Sequence, residues 1–283
     1  MTDVIGVNSH HAGREAALEL EHVCRDFITP EGRTYRAVDD VSLSIRAGAF
    51  VALVGPSGCG KSTILNIAAG LLSPTSGRIR VDGADLAGLN RRATYMFQQD
   101  ALLPWKTVRD NVALGLTLAG SPRDDAHARA DAWLGRVGLG AFASHYPSQL
   151  SGGMRKRVSM AQNWILDRSQ LLMDEPFSAL DVHTRQMMES ELLSLWDVGS
   201  DQPRRTVFFV THDLEEAIAL ADEVVVMSAG PASRIVARHA VEIPRPRDIL
   251  DLRTSADFVA LYRSIWSVLR EEVMKSQSGA RRA

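Results

Sequence analysis

The stretch Gly55-Pro56-Ser57-Gly58-Cys59-Gly60-Lys61-Ser62-Thr63 constrains this chain more than any other. It fits G-x-x-x-x-G-K-[ST], a glycine-rich loop that cradles phosphate. Phe50 to Val54 form an apolar run just before it, short and sharply bounded, as suits a buried parallel strand. Ile64 to Leu72 follow with apolar residues at helical spacing, so the glycines fall on a strand-to-helix turn. Gly55, Gly58 and Gly60 let backbone amides of the loop, those of Ser57 and Cys59 included, face one concavity, and the helix N-terminus adds its positive dipole end. In such a loop Lys61 reaches the β- and γ-phosphates of a nucleotide, the Ser62 hydroxyl ligates Mg²⁺, and Thr63 bonds the α-phosphate. The rival reading is a plain glycine-rich turn with a surface lysine. The flanking strand and helix argue against it.

The chain's 283 residues leave room for one large domain or two modest ones. A hydrophobic share of 45% supplies a core, and a net charge of −2 speaks against bulk nucleic-acid binding, so no nucleic-acid partner is expected. No uninterrupted apolar run approaches the ~18 residues of a membrane-spanning helix, and the N-terminus has no hydrophobic stretch of the secretory kind. Cys24 and Cys59 lie far apart, and a disulfide at Cys59 would obstruct the phosphate loop, so a reducing cytosol is expected. Its place in the loop also predicts that alkylating Cys59 blocks nucleotide binding.

Residues 1–16 read as a polar tail. Leu18 to Val23 and Val41 to Ile45 alternate apolar and polar residues, the mark of antiparallel strands with one wet face. With Ile79 to Gly83 they predict an antiparallel flap beside the P-loop core. Phe27 and Tyr35 flank the turn between the first two strands, and either could stack on a nucleobase. Leu102, Leu103 and Trp105 surround Pro104 in a segment without clear periodicity, which is either a docking surface or part of a small core. Val108 to Gly140 are mostly helical in pattern. Ser151-Gly152-Gly153 then precede a further helix, offering a hydroxyl and free amides at a positive dipole end; a simple N-cap explains them equally well.

Leu171 to Met173 form an apolar strand that ends in Asp174 and Glu175, where ligands bind in open α/β sheets. Asp174 there would hold Mg²⁺, directly or through water, and Glu175 would polarise an attacking water; the rival is an ordinary acidic turn. Ser178 to Asp181 make a tight connection. Thr206 to Val210 form another buried strand, with His212 at its tip beside the acids. A long amphipathic helix from about Ser255 to Met274 reads as a packing appendage.

Taken in this order, the elements resemble the nucleotide-binding subunits of ABC transporters, from about Leu18 to Glu272. The P-loop, Gln98 in Phe-Gln-Gln, Leu150-Ser-Gly-Gly153, Asp174-Glu175, Ser178-Ala-Leu-Asp181 and His212 each stand where that family has a named motif. Phe97-Gln98 with Leu102-Leu-Pro-Trp105, Met173 to Phe177, and Ile243-Pro-Arg-Pro-Arg247 look like the ATPases of nitrate, taurine and aliphatic-sulfonate importers. The resemblance implies an α/β P-loop ATPase of ABC type, with a mostly parallel core sheet, an antiparallel flap and a helical subdomain over about 98–166. The implied division is 17–235 for the ATPase domain and 236–283 for a C-terminal extension carrying a helix.

By the same resemblance Phe27 stacks on adenine, and Gln98 senses the γ-phosphate through Mg²⁺ or water. His212 contacts the γ-phosphate. Ser151, Gly152 and Gly153 contact ATP bound to the other subunit of a head-to-tail homodimer, and Asp181 helps join the halves. Implied partners are transmembrane permease subunits and, through them, a periplasmic or extracellular solute-binding protein. The implied location is peripheral, on the cytoplasmic face of the inner membrane. The alternatives are a non-transport ABC ATPase, which usually carries two cassettes or a long coiled coil, and a transporter ATPase for an unrelated cargo. Three places depart from the family pattern: Met154, where glutamine is commonest; Ala161-Gln-Asn-Trp164, where relatives tend to carry an Ala-Arg-Ala-Leu-like run; and Asp167-Arg-Ser-Gln170, which replaces a more apolar approach to the acidic strand.

Overall fold

The computed structural model describes residues 15–197 and 203–280. The predicted tail therefore falls largely outside the described residues. Its inner boundary moves, because Ala16 already belongs to the first strand. In chain order the elements are β1 (Ala16–Ile28), β2 (Thr34–Arg46), β3 (Phe50–Val54), α1 (Lys61–Ala68), β4 (Ser76–Val81), β5 (Ala84–Asp85) and β6 (Ala93–Met96). The helices α2 (Val108–Leu118), α3 (Arg123–Arg136) and α4 (Gly152–Trp164) follow, then β7 (Gln170–Asp174), α5 (Val182–Trp196) and β8 (Thr206–Val210). The chain continues through α6 (Leu214–Leu220), β9 (Glu223–Met227), β10 (Ile235–Ala240), α7 (Ile249–Leu252) and α8 (Ala256–Ala280).

Two sheets carry the fold. The flap is antiparallel in the order β2-β1-β4-β5, and the core sheet runs β10-β9-β3-β8-β7-β6. Within the core sheet β9, β3, β8, β7 and β6 are parallel, and β10 pairs antiparallel with β9 at the edge. The alternation read from Val41 to Ile45 holds: Val41, Leu43 and Ile45 are buried, while Ser42 and Ser44 face out. The core strands are apolar on both sides because each side meets a different core. Phe50, Ala52 and Val54 join Phe209 and Trp196 on one face, whereas Val51 and Leu53 join Phe208, Leu43 and Ile64 under the flap. The helical subdomain has a third cluster of its own, built on Val112, Ala130, Leu134 and Val158.

The boundary at 235/236 is corrected. It cuts through β10, a strand of the core sheet, and Ile249, Phe258, Ile265 and Leu269 are buried in the same cluster as Phe50. The extension is fixed by arginines as well as by apolar burial. Arg247 donates to the carbonyls of Ile218, Ala219 and Ala221 (3.3, 3.2 and 2.7 Å), and Arg245 donates to Leu220 O and Asp222. Those carbonyls are the orphan acceptors at the C-terminus of α6, where cations are favoured. The Ile243-Pro-Arg-Pro-Arg247 run thus has a structural task at this helix end.

Candidate functional site

The P-loop sits where β3 ends and α1 begins, at the C-terminal edge of the parallel strands. Gly60 is the N-cap of α1 with φ of +90°, a conformation that a side chain would strain. Gly55 is required for a different reason: a Cβ there would lie 2.8 Å from Cys59 Sγ and 3.1 Å from Met227. Cys59 therefore points into the core, not into the phosphate concavity, and is fully buried; burial raises its thiol pKa. That corrects the expectation of a reactive loop thiol. N-ethylmaleimide should label the partly exposed Cys24 first and leave Cys59 unmodified while the protein is folded. Fast modification of Cys59 in native protein, read by peptide mass spectrometry, would contradict this packing.

Lys61 is 6% exposed, and its ammonium donates to the Gly55 and Pro56 carbonyls at 3.0 and 3.1 Å. Neither hydrogen-bond partner is an anion; the Asp174 carboxylate feels the ammonium's charge without bonding it, so the buried cation favours an incoming phosphate. Next to it the Ser62 hydroxyl donates to Asp174 Oδ1 at 2.9 Å. Burial pushes the Asp174 carboxyl up, and the Ser62 bond opposes that shift. A hydroxyl and a carboxylate side by side are hard oxygen donors, the set that takes Mg²⁺ together with substrate phosphates and water. The residues fit the ion.

Glu175 has φ of +43°, an unusual backbone for a glutamate at a strand end. Its N–H donates to Val210 O at 2.8 Å, and the Ser178 hydroxyl donates to its carbonyl at 3.0 Å, which hold the turn in place. Its carboxylate Oε2 accepts from His212 Nδ1 at 3.0 Å and from the Gln98 amide at 3.4 Å. Oε1 has no protein donor among the described residues. Three residues predicted from three separate motifs therefore meet at one carboxylate. This arrangement can activate a nucleophile beside a phosphate loop.

Ser151 caps α4, its hydroxyl accepting from Met154 N at 3.3 Å. Asp181 caps α5 by accepting from Thr184 N at 3.0 Å. Ser151, Gly152, Gly153 and Asp181 line one open surface groove, so the structure groups the signature with the Ser178–Asp181 connection. Phe27 and Tyr35 face each other across β1 and β2. Phe27 packs against the flap core, with the Arg25 guanidinium 4.7 Å from its ring centroid. Tyr35 is 41% exposed, and a methyl built on Gly230 would lie 3.7 Å from its hydroxyl and 3.3 Å from the Gly58 carbonyl. The more exposed ring beside the P-loop is therefore Tyr35.

Three further residues were not singled out from the sequence as site residues. Tyr95 donates to Asn66 Oδ1 at 3.0 Å and approaches Asp174 Oδ2 at 3.4 Å. Arg185 donates to Asp213 at 2.8 Å and to Leu180 O at 3.2 Å, tying the residue after His212 to the Ser178–Asp181 connection. Ser178 braces Glu175, as above. Of the three, Ser178 had a signal, its place in a motif; Tyr95 reads as a core aromatic and Arg185 as a helix-surface charge.

Comparison with known proteins adds to this geometry. A family model described as ABC transporter matches residues 38–178. The chain is 42% identical over 259 residues to an uncharacterized ABC transporter ATP-binding protein of Methanocaldococcus jannaschii, covering 92% of this chain and 93% of that one. It is 43% identical over 256 residues to the taurine import ATP-binding protein TauB of Rhizobium johnstonii, covering 89% and 96% of the two chains. Among solved structures it is similar to the dimeric post-hydrolysis state of an ATP-binding cassette bound to ADP and Pi, at a TM-score of 0.69 and 30% identity, over 80% of this chain and all of that one.

Proposed function

The chain belongs to the ABC transporter family of ATP-binding proteins and is an ATPase, and from this we propose that it powers uptake of a small anionic or organic solute, taurine-, sulfonate- or nitrate-like, through a partner permease. The observation that carries the catalytic part is the convergence of Gln98 and His212 on one oxygen of Glu175, next to the Ser62–Asp174 pair. Lys61 and the loop amides would hold the β- and γ-phosphates. Phe27, or Tyr35 opposite it, would stack on adenine. Ser62 and Asp174, with Gln98 directly or through water, would hold Mg²⁺, which would supply charge neutralisation on the phosphates. Glu175 orients the attacking water through its free Oε1. Held 3.0 Å from Glu175, His212 would pass to the γ-phosphate once nucleotide is bound.

In this reading two copies sandwich two ATP molecules, with Ser151, Gly152 and Gly153 of one subunit closing on the phosphates held by the other. Asp181 lies in the same groove as the signature, which supports a role for it at that junction. Hydrolysis then opens the dimer and drives the permease. Among the described residues no helix is long and apolar enough to cross a membrane, so any membrane attachment would run through the permease. The permease would in turn receive solute from a binding protein on the far side.

Trp105 supports the permease contact. It is 71% exposed, while neighbouring Leu102 packs on the helical subdomain's core. Buried Asn111 fixes the loop between them, accepting from Leu103 N at 2.7 Å and donating to Leu103 O, Lys106 O and Thr107 O. An indole held out on a rigid loop is available to a partner. Trp105→Ala should shift the melting temperature by less than about 2 °C, as exposed substitutions do. It should nevertheless weaken copurification with the permease and uncouple transport from hydrolysis. A variant that melts several degrees early while still assembling would refute the docking role. The importer reading itself is tested in proteoliposomes that hold this chain with the permease that copurifies with it. ATP-dependent uptake of a sulfonate, taurine or nitrate supports it, and ATP-driven efflux of the same solutes overturns it.

A further inference from the structure

The opposite end of the core sheet carries a feature that the ATPase reading leaves unused. Arg92, Ser169 and Arg205 immediately precede β6, β7 and β8, so they lie at the strands' N-terminal ends, roughly 16 Å from the acids and His212 at the other ends. There they line a cavity of about 540 Å³ with Trp133, Arg136, Trp164, Arg168, Leu195 and Arg204. Both longer departures from the family pattern, the run ending at Trp164 and Asp167 to Gln170, converge on its wall.

The charges around it do not cancel. Arg204 is paired with Asp197, and Arg92 with Asp82 at 3.3 Å. Arg205 spends its donors on the carbonyls of Asn163, Trp164 and Leu166 at 3.4, 3.0 and 2.9 Å, and burial lowers its pKa. That leaves Arg136 and Arg168 with no hydrogen-bond or carboxylate partner among the described residues; Arg136 only stacks on Trp133, 4.6 Å from the ring centroid. Among the described residues, Asp167 is the one carboxylate lining the cavity. Trp164 and Trp196 are buried beneath the guanidiniums of Arg205 and Arg204, 5.7 and 4.9 Å from their ring centroids, so the apolar surface left open is that of half-buried Trp133 and Leu195.

The geometry points to a second binding site here, for a small organic anion whose carboxylate, sulfonate or phosphate is taken by Arg136 and Arg168 and whose apolar body lies on Leu195 and on the part of Trp133 that the stacked Arg136 leaves open. Guanidinium groups match such oxyanions in shape and charge, and the volume falls in the range of small-molecule pockets. An inorganic ion would use the arginines but leave the tryptophan surface idle. The inference does not depend on the direction or cargo of transport.

The test is calorimetric titration of the full chain in saturating Mg·ADP, which keeps phosphate-bearing probes out of the P-loop. The probes are benzoate, benzenesulfonate and phenyl phosphate, with inorganic sulfate as control. At least one aryl anion should bind saturably with a Kd of about 1 mM or tighter, and the preferred head group identifies the source chemistry. The double variant Arg136→Gln/Arg168→Gln should weaken binding by about tenfold or more, while basal ATP turnover stays unchanged. Absence of saturable binding by all three probes overturns the site. So does equal binding to the double variant. Inorganic sulfate binding as tightly as the aryl anions would reduce the feature to a bare charge cluster and overturn it as well.

Discussion

Glu175→Gln should bind ATP normally and hydrolyse it about 10²–10⁴ times more slowly. The amide keeps the size of the side chain and can still accept from His212 Nδ1, now 3.0 Å from Oε2, so the turn at φ of +43° is preserved. It removes the negative charge that orients and polarises water. Because the same carboxylate oxygen also accepts from Gln98, the loss reaches the segment that leads on to Trp105. Steady-state turnover near the wild-type rate, with ATP saturating, would show that another group activates the water.

The second large effect is expected from Lys61→Ala, which should weaken ATP binding by about 10–150-fold, the equivalent of a charged hydrogen bond of about 1.5–3 kcal/mol. The substitution also strips the Gly55 and Pro56 carbonyls of the donor they now share. Lys61→Met separates the two contributions, since it keeps most of the buried stem without the charge. Both variants should fold, and both should bind ATP more weakly by a factor in that range. ATP affinity unchanged in Lys61→Met would mean that the loop amides alone hold the phosphates.

These two residues were legible because their context is local. A glycine pattern between an apolar strand and a helix specifies the P-loop within a few residues of sequence, and a strand ending in Asp174-Glu175 does the same for the acids. His212 was legible as a strand tip. What could not be read depends on contacts between distant segments. Cys59 lies in the loop pattern, yet its side chain turns inward because Gly55 and Met227 leave room there, and Met227 belongs to β9. Tyr95 looks like any core aromatic until β6 is set beside β7 and brings it to Asp174. Leu102 and Trp105 have the same character in sequence. Only Asn111, from the following helix, decides that one packs inward and the other stands out. In sequence the C-terminal segment reads as a packing appendage that follows Pro244 and Pro246, with Arg245 and Arg247 interleaved among those prolines. Those arginines are what seat it, by closing the end of α6.

A buried group behind the site bears on its electrostatics. Glu216 is 3% exposed, and burial pushes its carboxyl up to about 8, with the Thr211 hydroxyl bonded to it. It is therefore largely neutral at pH 7 and adds little negative charge behind His212. Asp213 next to it stays engaged, capping α6 through Glu215 N and Glu216 N while accepting from Arg185. The His212 turn is held from behind by neutral and paired groups, which leaves Glu175 as the anionic group bonded to the imidazole.

If each ATP is completed by the signature of a second copy, light scattering on the Glu175→Gln protein will register the assembly. Mg·ATP should convert a species of 31.0 kDa into one of twice that mass, and adding Ser151→Arg to the same chain should abolish the conversion. A mass that stays at 31.0 kDa with ATP demonstrably bound, or a dimer that forms as readily with Ser151→Arg, would contradict it.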